Sequence, residues 1–153
     1  MKHLLLIHGG HAGGRTALLV AALARGGGAC ADEVELRSLP ALQARIDDLL
    51  WAHGLLIATP EHFGYMSGAV KDFFDRTFYP AEGKVDGLPY ALVVSAGNDG
   101  TGTVRAVERI ASGYRWTRVA EPVIVVGAPD EAALRQVSDL GQTLAAGLSA
   151  GVF

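Results

Sequence analysis

Cysteine occurs once in the 153 residues, at Cys30, so no internal disulfide can form. The thiol falls in a loop before a short strand and takes no assigned role. Long apolar runs are missing too. The opening, MKHLLLIHGG, has four consecutive apolar residues before a histidine, too few for a signal-peptide core. No other run approaches membrane-spanning length, so a cytoplasmic protein without membrane insertion is expected. Charge of one sign is scarce. A net charge of −3 gives no basic face for nucleic acid. It also falls short of the acidity of a carrier that docks on basic partners. No G-x-S-x-G turn of the lipase type exists, which sets aside the oxyanion-loop reading of His8-Gly9-Gly10. No internal repeat, low-complexity tract, linker or metal-ligand set stands out.

What is present is a chain that is 50% hydrophobic and long enough to bury a core. One domain over residues 1–153 is the expectation. Leu4 to Ile7 reads as a strand buried on both faces. An apolar helix follows from Thr16 to Ala24, closed by Gly26 to Gly28. Val34-Glu35-Leu36-Arg37 alternates, as an edge strand does. The pattern predicts a helix after Pro40 with Leu42, Ile46, Leu49 and Leu50 on one face, closed by Trp51 and His53. Asp47 and Asp48 fall on its solvent side. Leu55 to Ala58, Leu88 to Val94 and Val123 to Val126 read as the remaining strands. Between them lie helices carrying Val70, Phe73, Phe74 and Phe78, and then Val104, Val107, Ile110, Ala111 and Tyr114. Pro129-Asp130-Glu131 starts a last helix lined by Leu134, Val137, Leu140, Leu144 and Leu148. Five strands alternating with five helices imply an α/β protein with a doubly wound parallel sheet.

Three Gly-rich loops follow the first, third and fourth strands. Loop one, His8 to Thr16, holds four glycines, the basic residues His8, His11 and Arg15, and no acid. Glycines let backbone N–H groups approach an anion, and the following helix points its positive end at the loop. The loop therefore reads as an anion cradle. It differs from a nucleotide-hydrolase phosphate loop by an Arg in place of Lys, and no later strand ends in the magnesium-binding Asp. Loop two runs from Thr59, and loop three is Ser95 to Gly102, small and polar. In an open α/β sheet such loops converge on one ligand site.

The stretch from loop two into its helix, TPEHFGYMSGAVKDFFDRT, resembles flavodoxin-like FMN proteins, in particular the NAD(P)H-dependent FMN reductase and quinone reductase branch. Their pattern is Thr-Pro-Glu-x-x-Gly-x-Met-x-Gly-x-x-Lys-x-x-x-Asp-Arg. Loop one departs from the flavodoxin arrangement of Ser or Thr around a Gly. The resemblance implies a flavodoxin-like five-stranded parallel sheet in the order 2-1-3-4-5. It implies FMN held by three groups of residues. Loop one gives His8, Gly10, Gly13, Gly14, Arg15 and Thr16, with Arg15 or Thr16 at the phosphate. Loop two gives Pro60, Glu61, His62, Phe63, Gly64, Tyr65 and Met66. Loop three gives Ser95, Ala96, Gly97, Asn98, Gly100 and Gly102. Glu61 stands either as a proton relay or, preferably, as a carboxylate capping nearby N–H groups. Asn98 and Asp99 can serve simply to hold the turn, and Met66 reads as core.

On this resemblance the chain is expected to be an FMN-dependent oxidoreductase using NADPH or NADH as electron donor and a small molecule as acceptor. No residue is assigned a catalytic acid or base role, since the flavin performs the chemistry. The alternatives are a one-electron carrier and a flavin-free scaffold or regulatory domain of the same fold. Loop three has no aromatic residue, whereas carrier flavodoxins usually sandwich the ring between two aromatics; one ring face is therefore expected to be open or covered by a neighbouring subunit. The apolar first helix and fifth strand point to a homodimer or homotetramer.

Overall fold

The computed structural model describes residues 1–153. Runs of branched and aliphatic residues with no polar alternation can be buried only in a sheet covered on both sides. β1 (Lys2–His8), β3 (Gly54–His62) and β5 (Pro89–Ala96) form that centre. β2 (Val34–Pro40) pairs parallel to β1 at one edge, and β7 (Val123–Val126) pairs parallel to β5 at the other. Two short strands are additional: β4 (Tyr65–Met66), antiparallel to the end of β3, and β6 (Thr117–Arg118), beside the start of β5. With those two set aside, the order is 2-1-3-4-5, the flavodoxin-like α/β arrangement.

Successive residues of each central strand feed opposite cores, as the pleat requires. Leu5, Ile7, Leu55, Ile57, Leu92 and Val94 face α2 (Ile46–Trp51), α3 (Gly68–Ala81) and α4 (Thr101–Tyr114). Leu4, Leu6, Leu56, Ala58, Ala91 and Val93 face α1 (Arg15–Gly27) and α5 (Glu131–Ser149). β1 and β3 run in register from Leu4 opposite Gly54 to His8 opposite Ala58. β3 and β5 run from Leu55 opposite Tyr90 to Pro60 opposite Ser95. All carboxyl ends therefore open on one rim.

α1 closes on the expected glycines: Gly27 is its last residue and Gly28 its C-cap, and a 3-10 turn over Gly28–Cys30 follows. The same stretch serves interhelical packing. A Cβ at Gly26 would sit 1.8 Å from the Ser138 carbonyl oxygen of α5, and one at Gly141 would sit 2.3 Å from that of Leu23. The glycines let two backbones touch. Two sequence expectations are corrected. The first concerns the helix after Pro40. Residues 41–43 form a turn, α2 starts only at Ile46, and Leu42 is 65% and Leu50 42% exposed. The turn is fixed by Gln43 and Ala44 N–H groups that both donate to the Pro40 carbonyl. Second, Asp48 is not merely solvated: it accepts from the Arg37 guanidinium at 2.7 Å and from the Arg45 N–H at 2.8 Å.

The amino ends of the strands are closed by a stack. The His3 ring lies 4.2 Å from Trp51 and 4.8 Å from His53. His53 Nδ1 accepts from the His3 N–H at 2.9 Å, which places His53 at the far end from the rim.

The α1–α5 contact yields a prediction. Gly26→Ala should lower stability by about 1–3 kcal/mol despite alanine's higher helix propensity, because the carbonyl of α5 cannot move out of the way cheaply. Gly28→Ala, where an added Cβ meets nothing within 4 Å, should be neutral. Urea denaturation of the two variants measures both, and equal midpoints would contradict the packing account.

Candidate functional site

The rim is built from the three loops, and each is held by a specific contact. Loop one leaves β1 at His8. Its Gly9 N–H donates to the Ala58 carbonyl at 2.9 Å. A Cβ on Gly9 would fall 2.1 Å from the Ser67 hydroxyl, so loops one and two touch only because Gly9 has no side chain. Gly10 and Gly13 have φ of 83° and 81°, which a side chain would strain. His8 is half-buried at the strand end, and burial holds its imidazole below the ordinary pKa of 6.5.

Loop two is a hairpin rather than an open loop. β3 continues to His62, which pairs with Tyr65. The two residues between, Phe63 and Gly64, have φ of 54° and 75°, the paired positive values of a type I′ turn. Glycine accepts this freely. Phenylalanine there costs on the order of 1–2 kcal/mol and leaves its ring wholly exposed. At the hairpin base, the Thr59 hydroxyl accepts from the Ser67 N–H at 3.0 Å and donates to the Pro60 carbonyl at 2.9 Å. Ser67 then caps α3 by accepting from the Val70 N–H.

Loop three turns at Gly100, φ 91°, where a Cβ would strike Ile124. Asp99 accepts from the Thr101 hydroxyl at 2.9 Å and so holds the turn itself. Glu61 reaches across from loop two. One carboxylate oxygen accepts from the Gly100 N–H at 3.0 Å, the other from the Thr103 hydroxyl at 2.9 Å. Both oxygens are engaged at the start of α4, which is the capping arrangement rather than that of a free proton relay. Gly102 completes the junction, because a Cβ there would lie 2.5 Å from the Gly64 carbonyl oxygen.

The expected site residues divide by exposure. Gly10, Gly13, Arg15, His62, Phe63, Gly64, Tyr65, Gly97 and Asn98 are exposed on the rim. His8, Gly14, Pro60, Glu61 and Gly102 are half-buried supports. Met66 is 2% exposed, Ala96 2% and Ser95 8%; their side chains lie under the loops, which leaves backbone groups as what these positions can present. Thr16 is also buried, folded beside Gly10, whereas the Arg15 side chain is exposed. Sequence reasoning missed Ser67, Thr59 and Thr103. A serine just before an amphipathic helix was the legible cap signal for Ser67; Thr103 carried none, because its partner lies 42 residues away.

A doubly wound parallel sheet with three interlocked glycine loops at its switch point defines a flavodoxin-like protein. The family model described as NADPH-dependent FMN reductase matches residues 3–130, and the chain belongs to that family. A flavodoxin of Aquifex aeolicus (strain VF5) is 34% identical over 70 residues, 46% of this chain and 37% of that protein. Among solved structures, a flavodoxin from the domain Archaea superimposes with TM-score 0.81 at 16% identity, over 95% of this chain and 98% of that one. The WrbA-like flavodoxin protein of Agrobacterium tumefaciens gives 0.75 at 15% identity, over 95% and 96%. Rubredoxin oxygen:oxidoreductase of Desulfovibrio gigas gives 0.82 at 16% identity, over 99% of this chain but 37% of that one.

The residues present fit flavin mononucleotide. α3 and α5 are capped by Ser67 and Asp130, and α4 by Glu61; α1 has neither a side-chain cap nor an acid in its first turn. Its free N–H groups face loop one, and the exposed Arg15 enters no ion pair. Gly13, Gly64 and Gly97 have open space where a Cβ would stand, so backbone is available to a phosphate and a flat ring.

The junction predicts a selective defect. Glu61→Ala should cost about 1.5–3 kcal/mol, the worth of hydrogen bonds to a charged group. Glu61→Gln should recover part of it. If Glu61 is a cap, the loss appears in unfolding and in FMN affinity together; an unchanged melting temperature would overturn that role.

Proposed function

We propose that this chain is an FMN-dependent oxidoreductase that accepts two electrons from NADPH or NADH and passes them to a quinone-like or flavin acceptor. The observation that supports the reading most is the asymmetry of the rim. Loop two brings Phe63 and Tyr65 to one side. Loop three brings the exposed Gly97 and Asn98, which have no ring to cover the other. Bound flavin supplies reversible two-electron chemistry at its reactive nitrogen. The chain's part is to hold and orient. The α1 amides and Arg15 would hold the phosphate. The Phe63–Gly64 hairpin, braced on α4, would bound the space for the ring. The small residues of loop three leave room for a nicotinamide to stack close, as hydride transfer requires. No strong acid or base is needed for that step, and the rim holds no acid–base dyad. Burial of His8 at the end of β1 lowers its pKa and so favours the neutral imidazole.

The carrier reading draws support from the flavodoxin relatives and predicts a different titration. FMN-loaded protein is mixed with NADPH or NADH without oxygen. Loss of the visible flavin absorbance in one two-electron step is expected. No reaction with either nucleotide, with photoreduction in two separated one-electron steps, would replace the enzyme by a carrier. Failure to bind FMN at all would favour the scaffold. The edge strand β7, with Val126 53% exposed, supports assembly into a homodimer or homotetramer.

Arg15 gives a ligand-specific prediction. Arg15→Ala should weaken FMN by about 1.5–3 kcal/mol through loss of a charge-assisted contact. Riboflavin, which has no phosphate, should be weakened far less. Equal losses in a fluorescence titration would remove Arg15 from the phosphate site.

A further inference from the structure

Beside the rim lies a groove of about 700 Å³ between β2, the turn before α2, and α3. It is lined by Arg37, Arg45 and Arg76, by one acid, Asp48, and by the apolar Leu39 and Leu42. Two of the three guanidiniums are paired, Arg37 with Asp48 and Arg76 with Asp72, which leaves Arg45 as the groove's uncompensated cation. The three are not equivalent. Arg76 is fully engaged, donating to Asp72 at 2.6 Å and to the Ala44 and Ala41 carbonyls at 2.8 Å each. It builds the wall. Arg37 donates to Asp48 and lies 3.9 Å over the Trp51 ring, with its other nitrogens free of protein partners. The Arg45 guanidinium has no protein partner; its backbone alone is bonded, the N–H donating to the Asp48 carboxylate and the carbonyl accepting from the Asp48 and Leu49 N–H groups. Leu42 stands 65% exposed next to it. The groove lies on the same edge of the sheet as the rim: β2 pairs with β1 as far as Pro40 opposite His8, and the next residue, Ala41, donates its N–H to the His8 carbonyl at 2.8 Å.

A free guanidinium beside a second, partly free one suits a phosphate dianion, which accepts the planar fork of donors. An exposed leucine over a half-buried one offers a shelf for a flat heterocycle. We propose that this groove holds the phosphorylated adenosine end of NADPH, and that Arg45 is the residue that discriminates NADPH from NADH. The inference rests on the reading of the chain as an acceptor of hydride from NAD(P)H. At the position of the 2′-phosphate NADH carries a hydroxyl, which offers Arg45 no charge.

The test uses FMN-loaded protein and three probes in a calorimetric titration: adenosine 2′,5′-bisphosphate, adenosine 5′-monophosphate and inorganic phosphate. The bisphosphate should bind more tightly than the monophosphate by about ten- to a hundredfold, the worth of a charge-assisted contact. Arg45→Ala should abolish that preference and leave the monophosphate unchanged. In turnover, the same variant should raise KM for NADPH far more than KM for NADH, so that the ratio of kcat/KM for the two dinucleotides falls about ten- to a hundredfold. Arg45 makes no side-chain contact, so the variant keeps its fold. Equal binding of the two nucleotides by the unmodified protein would overturn the assignment. So would inorganic phosphate binding as tightly as the bisphosphate, or an undiminished preference in Arg45→Ala. Failure of the hydride reading shows elsewhere. If the bisphosphate binds through Arg45 but neither dinucleotide bleaches the flavin, the groove assignment stands and the oxidoreductase reading falls.

Discussion

The rim depends on one carboxylate. Glu61 sits at the end of β3 and accepts at both oxygens from α4, 39 residues away at Gly100. Helix starts carry partial positive charge and unpaired N–H groups, so a half-buried carboxylate there is stabilised, and the helix is stabilised in return. Gly100 supplies no side-chain cap of its own. Without Glu61, loop three would keep only the Asp99 turn, and the hairpin would lose its anchor on α4. With it, the Gly64 carbonyl is pressed against Gly102, and the strained Phe63 conformation is held in place. The Thr59–Ser67 bond closes the hairpin's base, and Gly9 fits against Ser67. Three loops from three strands thus become one surface.

That surface is selectively incomplete. Polar groups are satisfied where loops meet loops and left open where they meet solvent. The α3, α4 and α5 N-termini are capped, whereas that of α1 is not. An anion at that position completes the helix and so binds to the folded state alone, which couples ligand affinity to stability. Cross-loop bonds hold the framework rigid before any ligand arrives. Little ordering is then left to oppose binding.

The sheet was legible because its signal is long and redundant. Leu4–Ile7, Leu55–Ala58 and Val123–Val126 are apolar without alternation, and burial on both faces is their one stable use. Loop two was legible through residue types that demand particular backbones, Pro60, Gly64 and Gly68, at fixed spacing. What escaped was non-local. Gly26 reads as a helix terminator on sequence, and only the approach of α5 turns it into a packing notch. Leu42 reads as a helix's apolar face, but the turn after Pro40 places it outside α2. The choice between Glu61 as relay and as cap also turned on a distant partner. Met66, read both as core and as part of the flavin loop, lies in β4 with its side chain buried.

α3 joins the two concave surfaces. Its first turn, capped by Ser67, belongs to the rim, and two turns later Arg76 clamps the carbonyls of Ala41 and Ala44. The residues between, Val70, Phe73 and Phe74, are buried against the sheet, so the helix cannot shift at one end alone. The segment from Ala41 to Arg45 is therefore fixed relative to loop two, although no strand or helix runs through it. A groove wall made of a turn would ordinarily be mobile. Here a guanidinium with three engaged nitrogens and a bond from Ala41 to the end of β1 hold it still. The two concave surfaces therefore keep a constant separation, and a ligand long enough to reach both would meet two preorganised sites, with little ordering left to oppose its binding.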